Sequence, residues 1–213
     1  MEDKLKEYLL SHIDKEDELL AQLARNSNVK IYHGRQVSGH LQGKILEMIS
    51  KMIRPKNILE IGTFTGYSAI CLAKGLQPGG KLHTIEINDE LEDFIRHYLY
   101  QSSEKEKITL HIGDALKIIP KLNIMFDLVF IDGNKKHYSD YYNQIFDKII
   151  DGGFIIADNI LWDGKVVQDD LRNNDHFAHG IMEFNEMINS DTRVEKVILP
   201  VRDGMMIIRK IYD

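Results

Sequence analysis

The stretch LEIGTFTGYS, residues 59–68, joins a short apolar run to a segment of helical length. Glycines at such a junction let the backbone turn sharply into a helix and approach a ligand at the helix N-terminus. Four similar apolar runs follow, so that the five runs are 58–61, 82–87, 108–112, 128–131 and 154–157. Segments of helical length separate them, at 67–75, 89–103, 115–122 and 138–150. This alternation is typical of parallel βαβ units and predicts a doubly wound, mostly parallel α/β sheet.

The C-terminal part of the chain departs from the alternation. Residues 194–199 and 205–210 are apolar runs that flank the turn-like segment PVRDG at 200–204, a pattern typical of a β-hairpin. Adding these two strands predicts a seven-stranded sheet with an antiparallel C-terminal hairpin.

The N-terminal part has a different pattern. Residues 1–26 place apolar side chains at helical spacing among charged ones, which predicts one or two amphipathic helices before a polar break at 26–28. A further helix is expected over 39–53, where a proline soon follows. We interpret these helices as an N-terminal helical cap, 1–54, on an α/β core, 55–213.

Composition limits the class of protein. A chain of 213 residues with 43% hydrophobic content suits a single domain over 1–213. The net charge of −6 provides no basic surface for wrapping nucleic acid. A single cysteine excludes an internal disulfide framework and fits a reducing compartment. No signal-peptide core is visible, and no apolar run approaches the roughly 20 residues of a membrane span. We therefore expect a cytoplasmic protein without a membrane partner.

Ligands of doubly wound sheets bind beyond the carboxyl ends of the strands, so the polar residues there matter most. The nicotinamide fingerprint G-x-G-x-x-G would need glycine at the position of Phe64, which argues against a nicotinamide oxidoreductase. The loop that remains suits a ligand without pyrophosphate, such as S-adenosylmethionine. The alternative is a purely structural turn.

Two further strand ends carry acidic residues. Glu86 follows the glycine loop by about the distance at which an acidic residue accepts hydrogen bonds from ribose hydroxyls. The alternative is that it only begins the following helix, where a carboxylate is favoured by the helix dipole. Asp114 caps the next helix, contacts the adenine amino group, or does both.

Asp132 ends the fourth strand, and Asp158 with Asn159 ends the fifth. Two carboxylates and an amide oxygen at neighbouring strand ends are ligands that hard divalent cations prefer. Taken alone, Asp132 could instead be a helix cap, and Asp158 with Asn159 could instead form an Asx turn. Lys135 lies three residues after Asp132, and beside a cation its ammonium form is disfavoured, which makes it a candidate general base.

Together these motifs resemble one known family. The stretches LEIGTFTGYSA, FDLVFIDGNKKHYSDYY, GGFIIADNILWDGKV and LPVRDGMMIIRK are similar to those of the cation-dependent O-methyltransferases of the catechol and caffeoyl-coenzyme A type. The similarity runs from about residue 37 to residue 210 and keeps the order and spacing of the motifs. It implies a Rossmann-like class I methyltransferase fold and a homodimer.

The resemblance also implies roles for individual residues. Asp132, Asp158 and Asn159 would bind the metal, which is usually Mg²⁺ or otherwise another divalent cation such as Mn²⁺ or Ca²⁺. Lys135 matches the catalytic lysine, and Asp132 would also lie against the cofactor. The segment Val37-Ser38 would close over the methionine end of S-adenosylmethionine. The other positions that match cofactor contacts are Glu60, Gly62, Ser68, Glu86, Asp114 and Ala115.

The predicted reaction is methyl transfer from S-adenosylmethionine to a metal-coordinated hydroxyl oxygen of a catechol-like or other small hydroxylated aromatic acceptor. Two departures concern the acceptor: Asp163 follows Trp162 where the plant enzymes have Asn, and no acidic residue after Asn159 matches the one in animal catechol enzymes. The alternative acceptor is 5-hydroxyuridine at a transfer-RNA wobble position, methylated by a bacterial-type branch of the same family. A non-catalytic cofactor-binding protein is disfavoured because the three metal positions and Lys135 are all present.

Overall fold

The computed structural model of the protein describes residues 3–168 and 175–212. The remaining residues of the predicted domain, 1–2, 169–174 and 213, lie outside the described part. Seven strands form one sheet in the order β3-β2-β1-β4-β5-β7-β6, which confirms the predicted fold class. The strands are β1 Asn57–Ile61, β2 Lys81–Glu86, β3 Ile108–Ile112, β4 Phe126–Ile131, β5 Ile149–Asp158, β6 Val194–Leu199 and β7 Met205–Lys210.

Strand pairing explains why the site residues meet. Strands β1 to β5 pair in parallel, whereas β7 runs antiparallel to both β5 and β6. Ile131 in β4 pairs with Ile61 in β1 and with Ala157 in β5, so these three strands end at the same level. The strand order reverses between β1 and β4, and doubly wound sheets bind ligands at such a switch point.

Eight α-helices of the described residues surround the sheet. They are α1 Asp3–Ser11, α2 Glu18–Lys30, α3 Gly39–Ile53, α4 Tyr67–Ala73, α5 Glu92–Gln101, α6 Ala115–Ile118, α7 Tyr138–Ile145 and α8 His176–Ser190. Short 3₁₀ helices continue the helical segments predicted after Ala115 and Tyr138 and precede α5. None of the helices in this part of the chain is long and apolar enough to cross a membrane.

The predicted polar break at 26–28 is wrong, because α2 continues to Lys30. Each polar side chain there finds a partner without leaving the helix. Asn26 donates to the Tyr98 hydroxyl at 2.5 Å, and Ser27 and Asn28 donate to backbone carbonyls one turn earlier, each at 2.8 Å. Local polarity therefore does not end the helix.

Strand β5 begins at Ile149, earlier than the predicted residue 154. Ile149 already pairs with Phe126 of β4, and the regular register resumes only where Phe154 pairs with Leu128. The residues between form an irregularity in which Gly152 has a positive φ of 76°. The predicted helix over 138–150 is correspondingly shorter.

Both faces of the sheet are buried. On one face Leu59 and Ile61 pack with α7 and α8 residues such as Phe184. On the other face Ile58 packs with α3 and α4, through Leu46 and Leu72 among others. The next residue on that second face is Glu60, which pairs in register with Thr84 and Phe130. A carboxylate in the middle of a buried sheet requires a functional or a structural explanation.

Candidate active site

The ends of β1 and β4 lie in direct backbone contact. The Asp132 N–H donates to the Ile61 carbonyl at 2.8 Å. Gly62 has a φ of 100°, and a Cβ atom at this position would lie 2.4 Å from the Asp132 carbonyl oxygen. Only glycine fits both the conformation and the space. The glycine loop is therefore held against the strand end that carries Asp132.

Lys135 lies directly on Asp132. Its Nζ donates to Asp132 Oδ1 at 2.7 Å, and the two side chains are only 12% and 21% exposed. The local turn is capped by Asn134, whose side chain accepts from the Lys136 N–H at 3.2 Å. Asn134 rather than Asp132 is thus the helix cap, so the Asp132 carboxylate faces Lys135 instead of its own backbone.

Asp158 is buried at the end of β5 and only half satisfied. Gln42 donates to its Oδ2 at 2.5 Å, while Oδ1 has no hydrogen-bond partner among the described residues. Burial, together with the charge of Asp132, raises the pKa of Asp158 to about 6. A buried carboxylate oxygen that repels its neighbour and lacks a donor is a position that a cation would stabilise.

Asn159 follows in a left-handed conformation with φ of 58°. Its amide nitrogen lies 3.5 Å from Asp203 Oδ2, on the turn between β6 and β7. The next backbone N–H, of Ile160, donates to the Gly204 carbonyl. Neither contact is the Asx turn that would explain Asp158 and Asn159 as a purely structural pair. The C-terminal hairpin instead holds this strand end.

Among residues 3–168 and 175–212, no three His, Cys, Asp or Glu side chains lie together in a way that could hold a metal ion. The predicted metal set has only two side chains of these types, Asp132 and Asp158, and its third member is the amide of Asn159. Asp132, Asp158 and Asn159 thus remain predicted ligands, brought to adjacent strand ends.

Glu60 is fully buried beneath the glycine loop. Its Oε2 accepts a hydrogen bond of 2.5 Å from the Thr84 hydroxyl, and its Oε1 has no partner within the described structure. Burial raises the pKa of Glu60 to about 8, and the charges of Asp132 and Glu86 act in the same direction. Ser68, nearby at the start of α4, is also buried. The sheet therefore contains a buried carboxyl oxygen that has no donor and that a cationic ligand group would stabilise.

Glu86 is tied to the glycine loop rather than to a helix. Its carboxylate accepts from the Phe64 N–H at 2.7 Å and from the Asn88 N–H at 2.9 Å. Asn88 caps the following 3₁₀ helix, since it accepts from the Glu90 N–H at 3.1 Å. Burial raises the pKa of Glu86. The alternative that Glu86 only begins the next helix is therefore excluded.

Asp114 caps α6, which is one of the two roles predicted for it. Its Oδ1 accepts from the Leu116 N–H at 3.0 Å, and Ala115 is buried as the first residue of the helix. A contact with adenine stays a prediction. The segment Val37-Ser38 is held by Arg202, which donates to both backbone carbonyls.

A profile described as O-methyltransferase matches residues 10–211 of the chain. The chain belongs to the O-methyltransferase family. Caffeoyl-CoA O-methyltransferase 1 of Eucalyptus globulus is 34% identical over 179 residues, which cover 80% of this chain and 73% of the plant protein.

Two solved structures resemble this O-methyltransferase over nearly its whole length. TomG of Streptomyces achromogenes, an O-methyltransferase of tomaymycin synthesis solved in complex with SAM, gives a TM-score of 0.90 at 28% identity and covers 100% of both chains. The O-methyltransferase of Bacillus cereus, in complex with SAH, gives 0.89 at 27% identity and covers 97% of each. These likenesses confirm the predicted cation-dependent, S-adenosylmethionine-dependent family.

Three residues of the O-methyltransferase site did not emerge from the sequence. Gln42 lies 1% exposed on the inner face of α3, and Arg202 and Asp203 come from the hairpin turn. A polar residue on the apolar face of a predicted helix was a usable signal for Gln42. Two charged residues in a five-residue turn gave a weaker signal for the hairpin. A cavity of about 500 Å³ between α8 and β6 is lined by none of the predicted site residues.

Proposed function

We propose that this O-methyltransferase transfers the methyl group of S-adenosylmethionine to a hydroxyl oxygen of a catechol-like or other small hydroxylated aromatic acceptor, in the presence of a divalent cation. The observation that carries the proposal is that Asp132 and Asp158 directly follow the paired residues Ile131 and Ala157, with Asp158 Oδ1 buried and without a partner among the described residues. Lys135 lies at the same rim, 2.7 Å from Asp132.

The cofactor is inferred from the glycine loop and from two carboxylates. Glu60 Oε1 is buried without a donor, and the ammonium of the methionine moiety is a group that would satisfy it. Each oxygen of Glu86 accepts one backbone N–H and has a further lone pair for a ribose hydroxyl. The complexes of the Streptomyces and Bacillus relatives with SAM and SAH support this inference.

The metal is inferred from the chemistry of the donor set. Asp132, Asp158 and Asn159 would hold a hard cation such as Mg²⁺ through oxygen atoms. When bound, the cation lowers the pKa of an acceptor hydroxyl and orients it. Asp132 and Lys135 hold each other in place, and Lys135 Nζ is the predicted general base for the proton of the acceptor hydroxyl. Positioning and deprotonation account for the rest, since a sulfonium methyl group is already activated.

The acceptor class rests on chelation and on the relatives. A vicinal pair of oxygens chelates a divalent cation well, and the plant relatives are named for caffeoyl-CoA, an acceptor with a catechol ring. Trp162 and Asp163, which follow the predicted metal ligands, both have positive φ values, of 45° and 56°. This strained turn adjoins the place where the acceptor would enter and is a suitable element for selecting it.

The test is transfer of a tritiated methyl group from S-adenosylmethionine to a panel of acceptors. The panel contains catechol, phenol, caffeoyl-CoA and transfer RNA with and without hydroxylated uridine. We expect methylation of catechol-type acceptors and little methylation of phenol, because phenol offers one oxygen only. Methylation restricted to hydroxylated transfer RNA would instead establish the alternative acceptor.

A further inference from the structure

Arg202 reaches from the C-terminal hairpin to the beginning of α3. Its Nη1 donates to Gln42 Oε1 at 2.5 Å, to the Val37 carbonyl at 3.3 Å and to the Ser38 carbonyl. Arg202 itself has a φ of 52°, a left-handed conformation that is unfavourable for a residue with a side chain. Such strain persists only where surrounding contacts hold it, and it is concentrated at functional sites. The three acceptors, all at or just before the start of α3, are contacts of this kind.

The contact with Arg202 decides which way the Gln42 amide points. A guanidinium group has donors only, so the atom of Gln42 that faces it must be the carbonyl oxygen. The amide nitrogen of Gln42 is then directed to the other side, where it donates to Asp158 Oδ2 at 2.5 Å. Gln42 is 1% exposed, so water offers no competing partner for either end of the amide. The Asp158 carboxylate favours the same orientation, because it accepts hydrogen bonds only. Without Arg202 the Gln42 oxygen would lose its donor, and the amide would be held from one end only.

The orientation of the Gln42 amide affects the Asp158 carboxylate. With Oδ2 held by Gln42, the other oxygen, Oδ1, is left without a partner among the described residues. The Tyr138 hydroxyl donates to the backbone carbonyl of Asp158 at 3.1 Å and so fixes the strand end but not the carboxylate. The orientation of the carboxylate therefore depends on Gln42, and through Gln42 on Arg202.

We propose that Arg202 is a positioning residue that acts through Gln42 to orient Asp158 for a divalent cation. The proposal rests on the function proposed above, in which Asp158 is a metal ligand. Carboxylates that bind metals are themselves held by hydrogen bonds, and loss of such a partner weakens metal binding by about 10- to 100-fold. In the described structure Gln42 is such a partner of the Asp158 carboxylate, and Arg202 is the partner of Gln42.

Arg202 has a second effect that Gln42 does not share. The same guanidinium holds the carbonyl groups of Val37 and Ser38, the segment predicted to close over the methionine end of the cofactor. Loss of Arg202 should therefore weaken binding of both the cation and S-adenosylhomocysteine. Loss of the Gln42 amide should weaken binding of the cation alone. This difference separates a specific relay from a general loss of structure.

The experiment compares Arg202→Met, Arg202→Lys, Gln42→Met and the double variant Arg202→Met/Gln42→Met with the parent protein. The dissociation constant of Mn²⁺ is measured by electron paramagnetic resonance of the free ion. Affinity for S-adenosylhomocysteine is measured by calorimetry, and thermal unfolding monitors the fold. Arg209→Met is the matched control, because Arg209 lies on the same hairpin, forms an ion pair with exposed Glu195 and lies over the rings of Phe154 and Tyr212. Asp158→Ala tests the metal site itself.

We expect Arg202→Met and Gln42→Met each to weaken Mn²⁺ binding by about 10- to 100-fold. The double variant should bind no more weakly than Arg202→Met, because both residues act along one path. Arg202→Lys should recover part of the loss, since an ammonium group can still donate to the Gln42 oxygen. Arg209→Met should leave Mn²⁺ binding unchanged.

Several results would overturn the proposal. If Arg202→Met binds Mn²⁺ like the parent protein while Asp158→Ala does not bind it, the relay is wrong and the metal site stands. If Arg202→Met does not fold, the same result for Gln42→Met leads to the same conclusion. An equal loss in Arg209→Met would mean that any change in the hairpin disturbs the site. If Asp158→Ala binds Mn²⁺ like the parent protein, the proposed metal site is wrong as well.

Discussion

Glu60 provides a prediction in which stability and cofactor binding respond in opposite directions. The side chain is fully buried, and burial raises its pKa from the ordinary value of 4.5 to about 8. The folded protein therefore binds more protons at this position than the unfolded chain does between these two pH values. Stability contributed by Glu60 falls as pH rises from 4.5 to about 8, and it is constant above that range. Glu60→Gln removes this dependence.

The magnitude follows from the two pKa values. Each pH unit in that interval costs about 1.4 kcal/mol of unfolding free energy. Keeping this carboxyl protonated in the folded protein, while it ionises in the unfolded chain, therefore costs less than about 1 kcal/mol at pH 5 and about 3 kcal/mol at pH 7. The stability of Glu60→Gln relative to the parent protein should thus increase by about 2 to 3 kcal/mol between pH 5 and pH 7. The free-energy cost of burying the introduced amide is the same at every pH, so it does not alter this difference between pH 5 and pH 7.

The assay is urea unfolding of both proteins, without cofactor, at pH 5, 6, 7 and 8. Glu47→Gln is the matched control. Burial alone would raise the pKa of Glu47, but the hydrogen bond from Lys51 and the charges of Lys44, Lys51 and Lys74 lower it overall. Its stabilising contribution is present above the ordinary pKa and is lost as pH falls through the folded value. Glu47→Gln should therefore destabilise the protein near neutral pH.

Calorimetry of the same Glu60→Gln protein should show weaker binding of S-adenosylmethionine, because the neutral amide lacks the negative charge that strengthens a hydrogen bond from the ammonium group. A relative stability that does not change with pH would refute the reasoning about buried charge. Unchanged cofactor affinity would remove Glu60 from the cofactor site.

The remaining predictions concern the proposed chemistry. Glu86→Ala should weaken S-adenosylmethionine binding by roughly 1.5–3 kcal/mol, the range for hydrogen bonds to a charged group, and calorimetry equal to the parent would exclude the ribose contact. Lys135→Ala should lower the single-turnover rate by about 10²–10⁴-fold near neutral pH and recover in part at higher pH, whereas exposed Lys136→Ala should stay close to the parent. Asn159→Ala should lose most turnover in steady-state assays while its calorimetric affinity for S-adenosylhomocysteine persists; full turnover would exclude it from the metal site.

Much of the fold was predictable because its signals are local. A strand buried on both faces is a short apolar run, and a parallel sheet places the residues that follow such runs at one edge. Glu86, Asp132 and Asp158 therefore stood out as polar residues at the ends of apolar runs, and the parallel pairing of β2, β1, β4 and β5 places all three at one edge of the sheet.

The features that escaped prediction depend on distant partners or on mixed signals. Helix α8 buries Ala178, Ile181, Phe184 and Ile188 at helical spacing, but polar residues and a glycine interrupt the segment. The start of β5 depends on its pairing with β4, which the sequence does not display. Gln42 contacts Asp158 and Arg202 across 116 and 160 residues, so no spacing rule connects them.

The central claim is methyl transfer at a site that needs a divalent cation, and chelation tests it most directly. The protein is treated exhaustively with a chelator, and transfer of a tritiated methyl group from S-adenosylmethionine to catechol is measured before and after addition of Mg²⁺. We predict that transfer is lost on chelation and restored by Mg²⁺ in the parent protein, but not in Asp158→Ala. Full transfer in the presence of the chelator would contradict the proposed role of Asp132, Asp158 and Asn159.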